Sequence, residues 1–380
     1  MQSDIKAIKF SQKTQADFIH SLRGKVNEYF QKKQISKQGN TNMVFKTVFM
    51  FSLFLIPYFI MTSGIFTSTV IFFLLWIIMG FGMAGIGLSV MHDANHGSYS
   101  KNKRINKILG YTLNMLGGNS YLWKIQHNYL HHAYTNIEDA DEDINVPVFL
   151  RFSPHAEKRS IQRFQHIYAW FFYALATLSW VTTKNFLQFF RYKQKGLIKG
   201  DKEFRTELIK EIMWKILYYF IFIGIPVMVL SFSIWIILAA FILMHMIIGL
   251  SLGSIFQPAH IMPTSQYPLP DNNGNMENNW AIHQLLTTSN YSPENRIFSW
   301  FIGGLNFQNE HHLFPNICHI HYYHISKIVR QASADFGIPY NTQPSFIRAI
   351  WNHIKMLKHL GKHDKKNQDE IVMTNKYVVT

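Results

Sequence analysis

Eight of the 19 histidines fall in four short clusters: His92-Asp-Ala-Asn-His96, His127-Asn-Tyr-Leu-His131-His132, Phe256-Gln-Pro-Ala-His260 and Gln308-Asn-Glu-His311-His312. Imidazole is the commonest metal ligand in proteins. Two histidines four apart on a helix share one face, a turn apart, and can grip one ion. His92 with His96, and His127 with His131, therefore read as helical ligand pairs. The doublets His131-His132 and His311-His312 add ligands for a second ion. Eight imidazoles exceed what one tetrahedral zinc takes; they suit two metals with positions left open for substrate or oxygen. Burying so many without a metal or partners would be costly. No His-Glu-x-x-His pattern occurs, so a zinc protease pairing two ligands with a glutamate base is not indicated. The single Cys318 excludes an internal disulfide and argues against an iron–sulfur cluster or zinc ribbon.

The elements that must hold these clusters are written in the charge pattern. The chain has 380 residues, 48% of them hydrophobic, and a formal net charge of +15. Yet no Lys or Arg occurs from Thr47 to Ser100, nor from Ile216 to Asn295. Such segregation is what a membrane protein shows, because charge is excluded from hydrocarbon and crowds the cytosolic side. Four apolar segments, about 44–63, 66–90, 212–230 and 233–256, are long enough to span a bilayer. The links within each pair are short and uncharged, which predicts two helical hairpins with small outer turns. The positive-inside rule places both termini and the middle region in the cytosol. All four histidine clusters then fall on that one side. The expected fold is an all-α integral membrane protein: four transmembrane helices in two hairpins, with a His-rich cytosolic helical cap.

Three regions are expected: a cytosolic amphipathic segment 1–43, a membrane enzyme domain 44–345, and a C-terminal helix and tail 346–380. Residues 1–43 are polar and Lys-rich, unlike a secretory signal. Within them Phe18, Ile19, Leu22, Val26, Tyr29 and Phe30 form one helical stripe, fit either for a membrane surface or for the protein's own cytosolic part. Two weaker apolar stretches, 108–123 and 167–181, read as interfacial or buried helices, with a six-span arrangement as the alternative. Residues 184–215 are basic and suit an anionic head group or a redox partner. Nothing points to nucleic acid.

The clusters, their order and their place relative to the spans resemble the membrane fatty acyl desaturase superfamily, over roughly residues 44–345. HDANH is similar to its first box, HNYLHH to its second and QNEHH to its third; His311-His312-Leu-Phe-Pro and the stretch from Trp280 to Asn290 are similar too. The resemblance implies two iron ions held by His92, His96, His127, His131, His132, His260, His311 and His312, with O2 as co-substrate. It implies a long-chain fatty acyl substrate, carried as a lipid, on coenzyme A or on acyl-carrier protein. Gln308, where many relatives have His, resembles the front-end subgroup, which acts between an existing double bond and the carboxyl end. Residues 1–43 are too short for that subgroup's fused cytochrome domain and lack its His-Pro-Gly-Gly. The expected electron donor is therefore a separate ferredoxin or free cytochrome b5-type protein, and the expected location is a bacterial inner membrane with the site facing the cytosol.

Other residues carry weaker signals. Asp93, Asn95, Gln308 and His321 are candidates to contact the ligand imidazoles from behind, with helix capping the plainer reading for Asp93 and Asn95. Trp280, Gln284, Thr287 and Asn290 are candidates for a substrate path, on resemblance alone. The acidic run Glu138, Asp139, Asp141, Glu142 and Asp143 reads as a solvated loop, with contact to the ligand imidazoles from behind or to a basic partner as the alternatives. His245, inside the fourth span, reads as hydrogen-bonded to a neighbouring helix. His283 could contact substrate; His319 and His324 read as structural, and His20, His155, His166, His353, His359 and His363 as incidental. Two alternatives compete: a di-iron hydroxylase of alkanes, sterols or carotenoids, and a His-rich metal transporter or sensor. The second would place its ligands near the bilayer midplane, whereas these sit at span ends or beyond.

Overall fold

The two stretches without Lys or Arg become membrane helices. In the computed structural model, which describes residues 8–12, 15–65 and 67–362, four helices are long and apolar enough to cross a membrane: Thr41–Thr62, Thr69–His96, Asp201–Val229 and Ile234–His260. The architecture is that of an all-α membrane protein, with one two-residue parallel strand pair, Asn290–Tyr291 on Thr342–Gln343. Three spans run further than the apolar patterns suggest, the third by starting at Asp201 rather than near residue 212. The second carries the whole first cluster, and the fourth ends on His260 despite Pro258 within it. Both clusters are thus part of the span helices rather than of segments that follow them. Gly97, at φ 74°, ends the second span immediately after His96. Residues 363–380, with His363 and most of the expected tail, lie outside the described residues.

The chain divides into two compact units. The first comprises Gln38–Ile125 and Trp170–Gly253, and holds the bulk of the spans. Its helices approach closely at glycines: a side chain at Gly82 would strike the backbone of Phe54, and one at Gly249 the carbonyl oxygens of Tyr173 and Ala174. Small residues serve this purpose between membrane helices generally. Gly249-Leu-Ser251-Leu-Gly253 therefore spells the Gly-x-Ser-x-Gly of serine hydrolases without its context, since it lies inside a helix rather than on a strand-to-helix turn.

Charge inside this unit is fully engaged. Glu211 is completely buried and accepts from Asn119 Nδ2 and Asn185 Nδ2, each at 2.7 Å. Lys215, one turn on, lies 3.3 Å from Glu211 and donates to the carbonyls of Gly117 (2.6 Å) and Trp180 (2.8 Å). A further turn on, Tyr218 Oη meets His245 Nε2 at 2.6 Å, and His245 Nδ1 meets Thr177 Oγ1 at 3.1 Å. His245 is held by neighbouring helices, as its position suggested.

The second unit comprises the described parts of Met1–Lys37, Gln126–Ala169 and Ser254–Thr380. The helix Ala16–Lys33 buries Phe18, Leu22, Val26 and Phe30, a strict spacing of four, in a core shared with the helix Tyr322–Asp335. The N-terminal stripe thus packs on the protein itself. Each such side chain contributes about 1.5–3 kcal/mol by leaving water. The C-terminal helix Phe346–Lys362 closes the unit, with His353 Nδ1 donating to the Ile261 carbonyl at 2.9 Å.

Candidate metal centre

The first cluster belongs to the span unit. His92 and His96 sit one turn apart with ring centroids 4.8 Å apart, and Trp123 lies edge-on to both, at 5.6 and 5.5 Å. Asp93 is buried, 3.8 Å from His92 Nδ1. The hydrogen bonds of Asn95 run to the Gly110 carbonyl and Ser120 Oγ, each at 3.4 Å, and tie the end of the second span to the segment after it.

The other six histidines belong to the second unit. His127 and His131 lie on a π-helical stretch, Lys124–His131, rather than an α-helical one. Hydrogen bonding from i to i+5 widens the turn, so residues five apart face the same way. That winding is why His132 joins His127: their Nε2 atoms are 3.2 Å apart, a proximity that α-helical spacing does not anticipate. His132 Nε2 is also 3.0 Å from His311 Nε2. Ring nitrogens of His131, His260 and His312 form a second convergence, all within 4.8 Å of one another, as do those of His132, His311 and His312. All six are buried.

The far sides of three of these rings, His131, His311 and His312, meet specific partners. His131 Nδ1 lies 3.1 Å from both oxygens of Asp141 and 3.5 Å from Asp143. Burial opposes a charge on His131, but the two carboxylates outweigh it and push the ring up to about 9. The acidic run is therefore not a solvated loop: Asp141 is fully buried and also accepts the Asn136 and Asp143 amides. His312 Nδ1 donates to Gln284 Oε1 at 2.9 Å, which also accepts from Thr135 Oγ1. His311 Nδ1 lies 3.4 Å from Tyr322 Oη. Asn136, at φ 59°, ties the carbonyl of His260 (3.1 Å) to that of Thr287 (3.4 Å).

The four residues read as a substrate path make hydrogen bonds to the histidine carriers and their supports. Trp280 Nε1 donates to the His132 carbonyl, and Gln284 holds His312. Thr287 bonds back to the His283 carbonyl, and Asn290 Nδ2 donates to Glu310 Oε2 at 2.7 Å. Burial pushes Glu310 up to about 7, against the bonds from Asn290 and Tyr340. Gln308 opens the helix Gln308–Leu313 and donates to the Leu305 carbonyl at 2.7 Å. His321 packs edge-on to Phe30 at 5.1 Å. His283 Nε2 donates to the Thr135 carbonyl at 2.8 Å. Tyr322, Thr135 and Asn136 carried no distinct signal in the sequence, and Asp141 only that of the acidic run, whose lesser reading was contact with the ligand imidazoles.

A cation fits this arrangement. Both nitrogens of His260 and Nε2 of His312 are buried with no hydrogen-bond partner among the described residues. The Nε2 atom of His132 lies within hydrogen-bonding distance of the Nε2 atoms of both His127 and His311. At His311 and His312, where Nδ1 already meets Tyr322 and Gln284, the neutral imidazole is poised to give Nε2 to a metal.

Residues 68–344 match the family model described as Fatty acid desaturase. The chain is 34% identical to the sn-1 linoleoyl-lipid 6-desaturase of Synechocystis sp., over 93% of this chain and 98% of that one. It is 33% identical to the sn-1 linoleoyl-lipid 6-desaturase of Arthrospira platensis, over 90% and 92%. It is 32% identical to the acyl-lipid (8-3)-desaturase of Physcomitrium patens, over 93% and 74%.

Proposed function

Since the chain belongs to the fatty acid desaturase family, we propose that it inserts a double bond into a lipid-bound fatty acyl chain on the carboxyl side of an existing one. Gln308 and the relatives named as linoleoyl-lipid 6-desaturases support this regiochemistry, with a linoleoyl lipid as the substrate. We assign His92, His96, His127, His131, His132, His260, His311 and His312 as ligands of two iron ions. The observation that carries this is the convergence of buried imidazole nitrogens whose far sides are already fixed by Asp141, Gln284 and Tyr322.

An unactivated methylene offers no acidic proton and no leaving group, so acid–base chemistry alone cannot oxidise it. Bound iron would supply the oxygen chemistry. Overall, the acyl chain gives up two hydrogens, and O2 with two electrons and two protons completes two water molecules. The chain's own residues set the conditions. Asp141 keeps the His131 proton on Nδ1, and Gln284 does the same for His312, so each ring presents Nε2. A separate one-electron carrier protein, a ferredoxin or free cytochrome, supplies the electrons. The protein spans a bacterial inner membrane four times with the histidine clusters at the cytosolic face; the four apolar helices support this.

The test is gas chromatography–mass spectrometry of total fatty acids from a bacterial host expressing the chain. The host is fed linoleate or, separately, saturated acids, beside a His131→Ala control. A new double bond on the carboxyl side of the existing one, absent in the control, is the expected result. A hydroxylated product would move the enzyme to the hydroxylases.

A further inference from the structure

The site needs two electrons per turnover, yet its histidines are buried, so the carrier must dock on the surface of a segment that reaches them. The helix Tyr322–Asp335 is such a segment. Its first residue, Tyr322, is buried and puts Oη 3.4 Å from His311 Nδ1. Its second, Tyr323, is half-buried and carries two cations over its ring. Arg296 Cζ lies 3.8 Å from its centroid and Lys327 Nζ 4.6 Å. The inner edge of Tyr323 meets Phe307 at 6.4 Å, and the Phe307 carbonyl accepts the His311 amide at 2.9 Å. Two short connections therefore run from one surface ring to one histidine of the site.

The charge around that ring is not neutralised. Arg296 and Lys327 are exposed, and neither they nor Lys33 has a carboxylate partner among the described residues. Burial, together with the positive charges of Arg296, Lys327 and Lys33, holds His324 below its usual range. In the other basic stretch, 184–215, three of the cations are paired: Lys193 with Asp201, Lys210 with Glu207 and Lys215 with Glu211.

We propose that the surface around Tyr323, formed by Arg296, Lys327, His324 and Lys33, is the docking site of a small acidic one-electron carrier, which delivers electrons toward His311 through Tyr323, Tyr322 and Phe307. This rests on the desaturase reading above. The carrier is oxidised by one electron at each encounter, and two encounters supply the two electrons that one double bond requires. Exposed cations around a half-buried aromatic ring give the steering and orientation that transient redox complexes use.

The experiment measures binding of a purified plant-type [2Fe–2S] ferredoxin, an acidic protein, to the iron-loaded full chain in nanodiscs, at low and high salt. Expected is saturable binding that weakens with salt. In Arg296→Glu/Lys327→Glu the affinity at low salt should fall by at least about tenfold. The neutral pair Arg296→Gln/Lys327→Gln should fall between the two. Lys195→Glu/Lys199→Glu, an equal change of charge on residues outside the proposed surface, should leave it within about twofold. Iron content and circular dichroism of each variant report whether it is folded. Absence of saturable binding by the wild type would overturn the proposal. So would wild-type affinity in a folded Arg296→Glu/Lys327→Glu protein, or a larger loss in the Lys195/Lys199 variant. A chain that binds the ferredoxin through Arg296 and Lys327, yet yields no desaturated product with any reductant, would overturn the functional reading and leave the docking surface standing.

Discussion

A buried imidazole can offer a metal only the nitrogen that its surroundings leave bare, and Asp141 makes that choice for His131. Asp141→Asn keeps the shape but removes the charge, and its amide can present an N–H to Nδ1. Metal affinity should drop about 10–100-fold, read as the iron-to-protein ratio after dialysis against a chelator; wild-type iron retention would refute the role. Tyr322→Phe removes only a hydroxyl beside His311. It should retain most of its iron while altering the ligand-field spectrum of the loaded site, which a purely structural tyrosine would not do. The box histidines were legible from the sequence because their type and spacing carry the chemistry. Asp141 was legible only as one of five acidic residues for which a solvated loop was the plainer reading, until the fold buries it against a ring ten residues upstream. Tyr322 is one of 18 tyrosines, and only the return of its helix past the third cluster sets it apart.

At the scale of elements, the span helices followed from apolar length, and the two hairpin links from their lack of charge. What the pattern missed was how the helices end and wind. The fourth span carries Pro258 to its tip, and the second cluster switches to π-winding, which gathers three histidines where an α-helix would gather two. The N-terminal helix could have lain on lipid or on protein, because its stripe suits both; packing partners decide that, and they are distant in sequence. Leu22→Ala, in the middle of that stripe, should cost about 2–5 kcal/mol, seen as a lower midpoint of thermal unfolding in detergent with iron still bound below it. The C-terminal helix carries a pH signature. Burial, opposed only by its bond to Ile261, brings His353 down to about 4. Its folded value is depressed, so the unfolded chain takes up a proton that the fold refuses. Stability is then complete above about 6.5 and declines as pH falls toward 4, by on the order of 2 kcal/mol at pH 5. His353→Gln, which can still donate to the carbonyl, should flatten that part of the melting-temperature profile between pH 7 and 5.

At the scale of the molecule, a chain of net charge +15 keeps its cations out of two long stretches and then places Lys215 with Glu211 inside a span. Removing one member of such a buried pair strands the other, so Glu211→Leu should cost about 3–5 kcal/mol. Loss of folded protein in fluorescence-detected size exclusion would show it, and Glu211→Leu with Lys215→Met should recover part of the loss. The pair also bears on how the chain is made. An ionised side chain costs up to about 2.5–3.5 kcal/mol at the bilayer centre and less toward the edge, and Glu211 and Lys215 stand at the charged end of the apolar part, so the third span inserts less readily by itself. Its partners Gly117, Asn119, Trp180 and Asn185 all precede it in the chain and are already synthesised when it emerges. Membrane integration and tertiary folding are therefore one event for this helix, and a nascent chain with its earlier half damaged would hold the third span at the membrane surface, exposed to quality-control proteolysis.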